Sequence, residues 1–170
     1  MAELSQTTQH QIEPFDNLEG KYLIFNLGNE EYGIGILKIK EIISMLPITP
    51  VPQTPQYVKG VINLRGKVIP VADLRLRFGM EAIEYSAQTC IIVVEIDGQA
   101  GKVHMGIVVD SVREVLNIKA AEIESSPTFG FDLDTQFILG MAKKEGDVKI
   151  LLEIERVLGA EQILLSDDAQ

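Results

Sequence analysis

Runs rich in β-branched and aromatic residues recur along the chain, separated by short polar or glycine-bearing stretches. Tyr22–Leu27 is followed by Tyr32–Ile36, and Cys90–Ile96 is followed by Val103–Val109. Paired apolar runs around a short polar turn predict β-hairpins. "GVINLRGKVIPVADL" (Gly60–Leu74) has the same form, with Val61-Ile62 and Val68-Ile69 flanking a tip of Leu64, Arg65 and Gly66. Gly66 supplies the positive φ that such a turn needs. Leu64 and Arg65 are expected to face solvent there, although turns usually prefer Asn, Asp, Gly or Pro.

The pattern occurs twice. "GIGILKIKEII" (Gly33–Ile43) lies over "GIVVDSVREVL" (Gly106–Leu116) at an offset of 73. "GVINLRGKVIPVADLRLRFG" (Gly60–Gly79) lies over "GMAKKEGDVKILLEIERVLG" (Gly140–Gly159) at an offset of 80. Glycines coincide at 33/106, 60/140, 66/146 and 79/159, and acids at 41/114 and 73/153. The seven-residue difference falls in "SSPTFGFDLDT". Each copy predicts a hairpin, a short helical or irregular turn ("LKIKEII", "DSVREVL"), a further strand and a second hairpin. In the first copy the further strand is the proline-bracketed "LPITPVPQTP", which suits an edge or crossing loop. A brief helix closes each copy, from Asp73 to Gly79 and from Glu153 to Gly159, between an acidic N-terminus and a terminating glycine. The second of these is expected to continue through "AEQILLSD" as a longer C-terminal helix.

About five short strands per repeat, with Gly/Pro turns, predict an all-β protein of small closed barrels rather than a parallel sheet. A barrel of that size buries little core alone. The expected fold is two pseudo-repeated five-stranded SH3/OB-like barrels around a shared core, with short helical turns, a groove between the barrels and a C-terminal helix. The folded domain is expected over residues 21–158, with an acidic N-terminal tail at 1–20 and a helix end and acidic tail at 159–170.

Charge changes the picture in one respect. The 170 residues carry a formal net charge of −10. Residues 21–79 hold eight Lys/Arg against four Asp/Glu, net +4, and residues 80–158 hold seven against fourteen, net −7. This asymmetry is a clue to protein partners. Net acidity and the absence of Trp argue against nucleic-acid binding. No apolar run reaches the ~20 residues of a membrane helix, and the N-terminus does not resemble a signal peptide. The single cysteine, Cys90, sits in an apolar run and reads as a buried, inert thiol in a cytoplasmic protein.

No catalytic constellation appears. His10 lies in the tail, and His104 reads as a half-exposed strand residue. No His/Cys/Asp cluster has metal-ligand spacing. "YGIGILK" lacks the third glycine of a dinucleotide loop. No enzyme activity and no cofactor are expected. The remaining candidates are surface residues. The repeat alone favours an ordinary exposed turn for Leu64 and Arg65. Yet Lys144-Glu145 stands at the matching place, so the turn does not demand a Leu-Arg pair. Ile39 and Val115 read first as core residues, and Glu41, which recurs as Glu114, as a solvated position.

"VKGVINLRGKVIPVADLRLRF", with "ILKIKEI" before it and "GIVVDSVREVL" after it, resembles the CheW family of bacterial chemotaxis coupling proteins, from about Lys21 to Leu158. The resemblance implies two five-stranded barrels around a common core and a non-enzymatic adaptor. It implies binding to the regulatory domain of the histidine kinase CheA and to the cytoplasmic tip of chemoreceptors, in receptor arrays at the inner membrane but without direct membrane insertion. The residues it assigns to protein binding are Ile39, Glu41, Gly60, Arg65 and Val115, with backbone shape alone as the other reading of Gly60; Leu64 joins them as the neighbour of Arg65 at the tip. A CheW-like adaptor of a twitching, gliding or developmental array, and a small ligand-binding barrel, are the alternatives.

Overall fold

The computed structural model describes residues 18–98, 100–125 and 137–159. Residues 1–17 and 160–170 of the two tails, the expected continuation of the C-terminal helix and most of the "SSPTFGFDLDT" segment lie outside the described residues.

Among the described residues, eleven strands are arranged in two sheets. β1 (Gly20–Leu27) and β2 (Glu30–Gly35) form the first hairpin, and β3 (Ile39–Ser44) follows a single 3-10 turn. β4 (Val58–Leu64) and β5 (Lys67–Asp73) form the second hairpin, followed by helix α1 (Leu74–Arg77). The second copy supplies β6 (Cys90–Gly98), β7 (Gly101–Val109), β8 (Ser111–Ile118), β9 (Ile123–Glu124), β10 (Ile138–Lys144), β11 (Asp147–Leu152) and helix α2 (Ile154–Leu158).

The two copies interlock. One sheet runs β3-β6-β7-β5-β4 and the other β8-β1-β2-β11-β10-β9. The five-stranded barrel therefore takes its first hairpin from the second copy, and the six-stranded barrel takes its first hairpin from the first. The junctions are parallel and equivalent: Gly106 opposite Val71, and Gly33 opposite Leu151. A Cβ on Gly33 would lie 3.0 Å from Leu151 Cδ2, and one on Gly106 2.7 Å from Ile91 Cγ2. Both glycines thus sit where a neighbouring side chain fills the barrel interior, with the tighter fit at Gly106.

This exchange also redistributes charge. Residues 36–109, the five-stranded side, carry eight Lys/Arg against six Asp/Glu, net +2. The described residues of the six-stranded side (18–35, 110–125 and 137–159) carry seven against eleven, net −4. The asymmetry expected from the sequence halves survives with reduced size.

Strands buried on both faces explain the long apolar runs. Along β1, Tyr22 and Ile24 face the six-stranded interior, while Leu23, Phe25 and Leu27 face the seam. Along β6, Ile91 and Val93 face the five-stranded interior, while Ile92, Val94 and Ile96 face the seam. Among the described residues the seam joins sixteen buried residues, against six in each interior, so the shared core is the larger one. Three aromatic contacts line it, from Phe25 through Tyr32 and Phe78 to Phe137.

Polar clasps tie the barrels together. Arg77, on α1, lies between the rings of Tyr57 and Phe137, 4.7 and 4.6 Å from their centres, and its Nε donates to the carbonyl of Val157 on α2. Arg75 donates twice to Asp110, at 2.8 and 2.7 Å, and Asp110 also accepts from the Gly28 amide at 2.8 Å. Burial would raise the Asp110 carboxyl, but these donors and the Arg75 charge hold it below the ordinary carboxylate value.

Both short helices form between the predicted brackets. Asp73 caps α1, accepting from the amides of Arg75 and Leu76, and Gly159 ends α2 at φ 55°. Asp73 is buried and also accepts from Tyr85 Oη at 2.9 Å. Burial, then the Asp73 charge, pushes the Tyr85 hydroxyl above its ordinary value.

Three expectations are corrected. "LKIKEII" and "DSVREVL" are mainly strands, β3 and β8, not helical turns; each carries a bulge that breaks the alternation. "LPITPVPQTP" contributes only one bridge, Thr49 to Val61. Cys90 begins β6 and is only partly buried, at the edge of the seam, with Sγ 3.2 Å from the Gln88 carbonyl oxygen.

Candidate protein-interaction site

The β4–β5 hairpin turns through Arg65 at φ 52° and Gly66 at φ 89°. Two consecutive left-handed residues make a primed turn, which matches the twist of the flanking strands. Gly66 alone does not set this geometry. An arginine in the left-handed region costs roughly 1–2 kcal/mol. Asn63 offsets part of that cost, its Oδ1 accepting from the Gly66 amide at 2.8 Å. The matching turn holds Glu145 at φ 56° and Gly146 at φ 84°, so the strained conformation belongs to both copies.

Leu64 does not face solvent as expected. It stands two residues after Ile62, on the inward face, and packs against the five-stranded interior. Arg65 is the exposed tip residue, with 68% of its side chain accessible. Its Nη2 pairs with Oε2 of Glu41 on β3. β3 and β4 are the outermost strands of their sheet, so this ion pair bridges the two edges of the barrel.

A bulge gives Glu41 that position. Ile39 is paired with Val94 and Glu41 with Val93, leaving Lys40 as the extra residue. Val94 faces the seam and Val93 the barrel interior. The bulge therefore turns Ile39 to the seam and Glu41 to the mouth of the barrel, within reach of Arg65. β8 has an equivalent bulge at Arg113, between Val112 and Glu114.

The remaining candidates separate. Gly60 is buried at φ 144°, and a Cβ there would lie 2.0 Å from the Thr49 carbonyl oxygen; it is a residue of backbone shape. Val115 is on β8 of the other barrel and is 48% exposed, contrary to a core reading. The structure thus joins Glu41 and Arg65 directly, sets Ile39 and Leu64 into adjoining cores, and places Val115 on the second sheet's edge strand.

Other apolar residues are exposed that the sequence did not single out. Leu37, on the turn between the barrels, is 96% exposed. Ile42 is exposed at the place equivalent to Val115, and Val68 at the place equivalent to Val148. The signal was the coincidence of apolar residues at 42/115 and 68/148, which sequence alone reads equally well as core. Among the described residues, no group of three or more His, Cys, Asp or Glu is placed to hold a metal ion. No described helix is long and apolar enough to cross a membrane.

Comparison with known proteins gives a consistent result. A CheW-like domain profile matches residues 21–162. The chain is 40% identical over 148 residues to the chemotaxis protein CheW of Klebsiella aerogenes, covering 87% of both chains. It is similar to the crystal structure of the scaffolding protein TtCheW of Thermoanaerobacter tengcongensis, with a TM-score of 0.71 and 39% identity over 79% of this chain and 89% of that one. The protein FrzA of Myxococcus xanthus is 28% identical over 129 residues, 76% of this chain and 78% of FrzA.

Proposed function

The chain belongs to the CheW-like family, and on that premise we propose that it is a non-enzymatic chemotaxis adaptor coupling chemoreceptors to the kinase CheA. It binds the CheA regulatory domain and the cytoplasmic tip of the receptors, and it works in the cytoplasm at receptor arrays. The observation that carries this reading is the exposed Arg65 on a turn that tolerates glutamate in the second copy. Neither the turn nor the core asks for that arginine, and a planar, always-charged guanidinium suits an interface. Glu41 holds it extended along the barrel edge. The exposed Ile42 and Leu37 nearby in sequence supply apolar area. A helical receptor tip suits such a surface through apolar anchors flanked by charges that fix register.

Titration calorimetry of the purified chain against a CheA regulatory domain and against a receptor-tip fragment tests the proposal. Binding to both in the micromolar range is expected for a signalling adaptor. Binding to neither contradicts it. The similarity to FrzA favours one second reading, an adaptor of a related array. Capture of the receptors and kinase of such an array, in preference to those of the chemotaxis array, would establish that reading instead.

A further inference from the structure

At one end of the five-stranded barrel, three polar side chains occupy positions that alternation assigns to the interior. Glu95 continues the inward row of Ile91 and Val93 on β6. His104 stands two residues before Gly106 on β7, and Lys67 two before Ile69 on β5. Glu95 and His104 are directly opposite across the strands. His104 Nε2 lies 3.4 Å from Glu95 Oε2, and its Nδ1 lies 2.9 Å from Lys67 Nζ. These partners select one tautomer. An ammonium has no lone pair, so Nδ1 accepts from Lys67, and the ring hydrogen sits on Nε2, toward the carboxylate.

We propose that Glu95, His104 and Lys67 form a proton-sensitive latch that steadies the β4–β5 hairpin while His104 is neutral and releases it when the ring takes up a proton. A proton from solvent can be added only at Nδ1, where the accepted bond from Lys67 then becomes two cationic donors face to face. Lys67 swings out, and Glu95 keeps the imidazolium. Lys67 follows Gly66 directly and is paired with Leu64, so its release loosens the strand end that carries Arg65.

The surrounding charges do not supply this response. Asp97 and Lys102, near the β6–β7 turn, pair with each other at 2.6 Å, and Lys38 pairs with Glu155 at 2.9 Å. Glu41 and Arg65 pair across the mouth. Carboxylate, ammonium and guanidinium groups ordinarily keep their charge between about pH 5 and 8, whereas imidazole does not. In the other barrel Glu31 occupies the place of His104, with Lys149 and Arg113 as its partners, so that mouth holds no imidazole.

The latch is partly exposed, and exposed pairs are weak, so the expected effect is about two- to fivefold. Amide exchange of Asn63–Lys67 in the full chain is followed by NMR between about pH 5.5 and 8, scaled to the intrinsic rate at each pH. The wild type should lose about two- to fivefold protection at the acidic end. His104→Gln should give a flat profile, because its carboxamide accepts from Lys67 and donates to Glu95 at every pH. The Lys143–Asp147 hairpin, the internal control, should be flat in both proteins. Should His104→Gln fail to fold, Lys67→Met provides the same contrast, with low and pH-independent protection. Parallel profiles in the wild type and the folded variant, or an equal change in the control hairpin, would overturn the latch. Because no partner is present, this outcome is separate from the adaptor proposal.

Discussion

The two barrels close their mouths with the same turn and different chemistry. In the five-stranded barrel, Arg65 reaches across solvent to Glu41, with 68% and 34% of their side chains exposed. In the six-stranded barrel the link across the strand ends moves one residue back. Lys144, at the place of Leu64, reaches Glu122 at 3.2 Å and the Asn117 carbonyl at 3.1 Å, with 23% and 29% of the two side chains exposed. A second ion pair lies deeper there. Lys149 Nζ, almost wholly buried, stands 2.7 Å from Glu31 Oε1, outside hydrogen-bonding geometry, and Arg113 Nε lies 3.0 Å from Glu31 Oε2. At the place of Lys149 the five-stranded barrel has the apolar Ile69. Both barrels thus carry a link across the strand ends, made by different residues. The link of the six-stranded barrel is largely buried, and that of the five-stranded barrel stands in solvent.

The contrast can be broken first at its backbone. Gly60→Ala puts a methyl group 2.0 Å from a carbonyl oxygen at φ 144°. A loss of about 4 kcal/mol or more is expected, enough to unfold a marginally stable domain. Gly66→Ala, at φ 89° with nothing within 4 Å of the new Cβ, should cost only about 1 kcal/mol. Urea denaturation of the two variants measures the difference, and equal losses would contradict the close approach.

The buried pair comes next. Lys149→Ala leaves Glu31 without its buried counter-charge and should cost about 3 kcal/mol. The double change Lys149→Ile with Glu31→Val copies the apolar solution of the other barrel and should regain most of that loss. No recovery in thermal melts would mean that the pair, not the volume, holds this barrel.

The clasp between the barrels sets a smaller effect with a defined pH sense. Asp110 has a folded-state carboxyl held below its ordinary value, so its contribution is complete above about pH 4 and is lost as pH falls further. Asp110→Asn should cost about 1.5–3 kcal/mol at neutral pH. Its stability, from urea midpoints between about pH 2.5 and 6, should fall less steeply with acid than that of the wild type. Identical slopes would remove Asp110 from the acid response.

Much of this was legible in the sequence because local chemistry decides it. The glycine-bearing turns, the Asp73 and Glu153 helix starts and the doubled pattern all follow from positions a few residues apart. The exchange of hairpins between copies was not, since nothing local says which of two equivalent strands Val71 joins. β3 and β8 were misread because a one-residue bulge makes strand alternation resemble a short helical period. Cys90 faces the seam and is partly exposed because it is the first residue of β6, and Leu64 shows a further limit. Facing depends on register, and a single step moves a side chain from solvent to core. Arg65 and Glu41 were both identified, but their contact needed the curl of the sheet that brings its edges together.

The smallest expected change in stability tests the central claim most directly. Arg65→Glu alone opposes Glu41 and should cost less than about 1 kcal/mol, because the pair is exposed. The charge swap Glu41→Arg with Arg65→Glu restores an ion pair in the same place and should melt like the wild type. If Arg65 serves a partner, the swapped protein presents the wrong sign to it, and affinity for the receptor tip or the CheA regulatory domain should fall at least about tenfold. The measurement is calorimetric titration of the swapped protein with both fragments, beside its melting curve. Wild-type melting with lost binding is the predicted result. Wild-type melting with wild-type binding to both would show that the pair only closes the barrel.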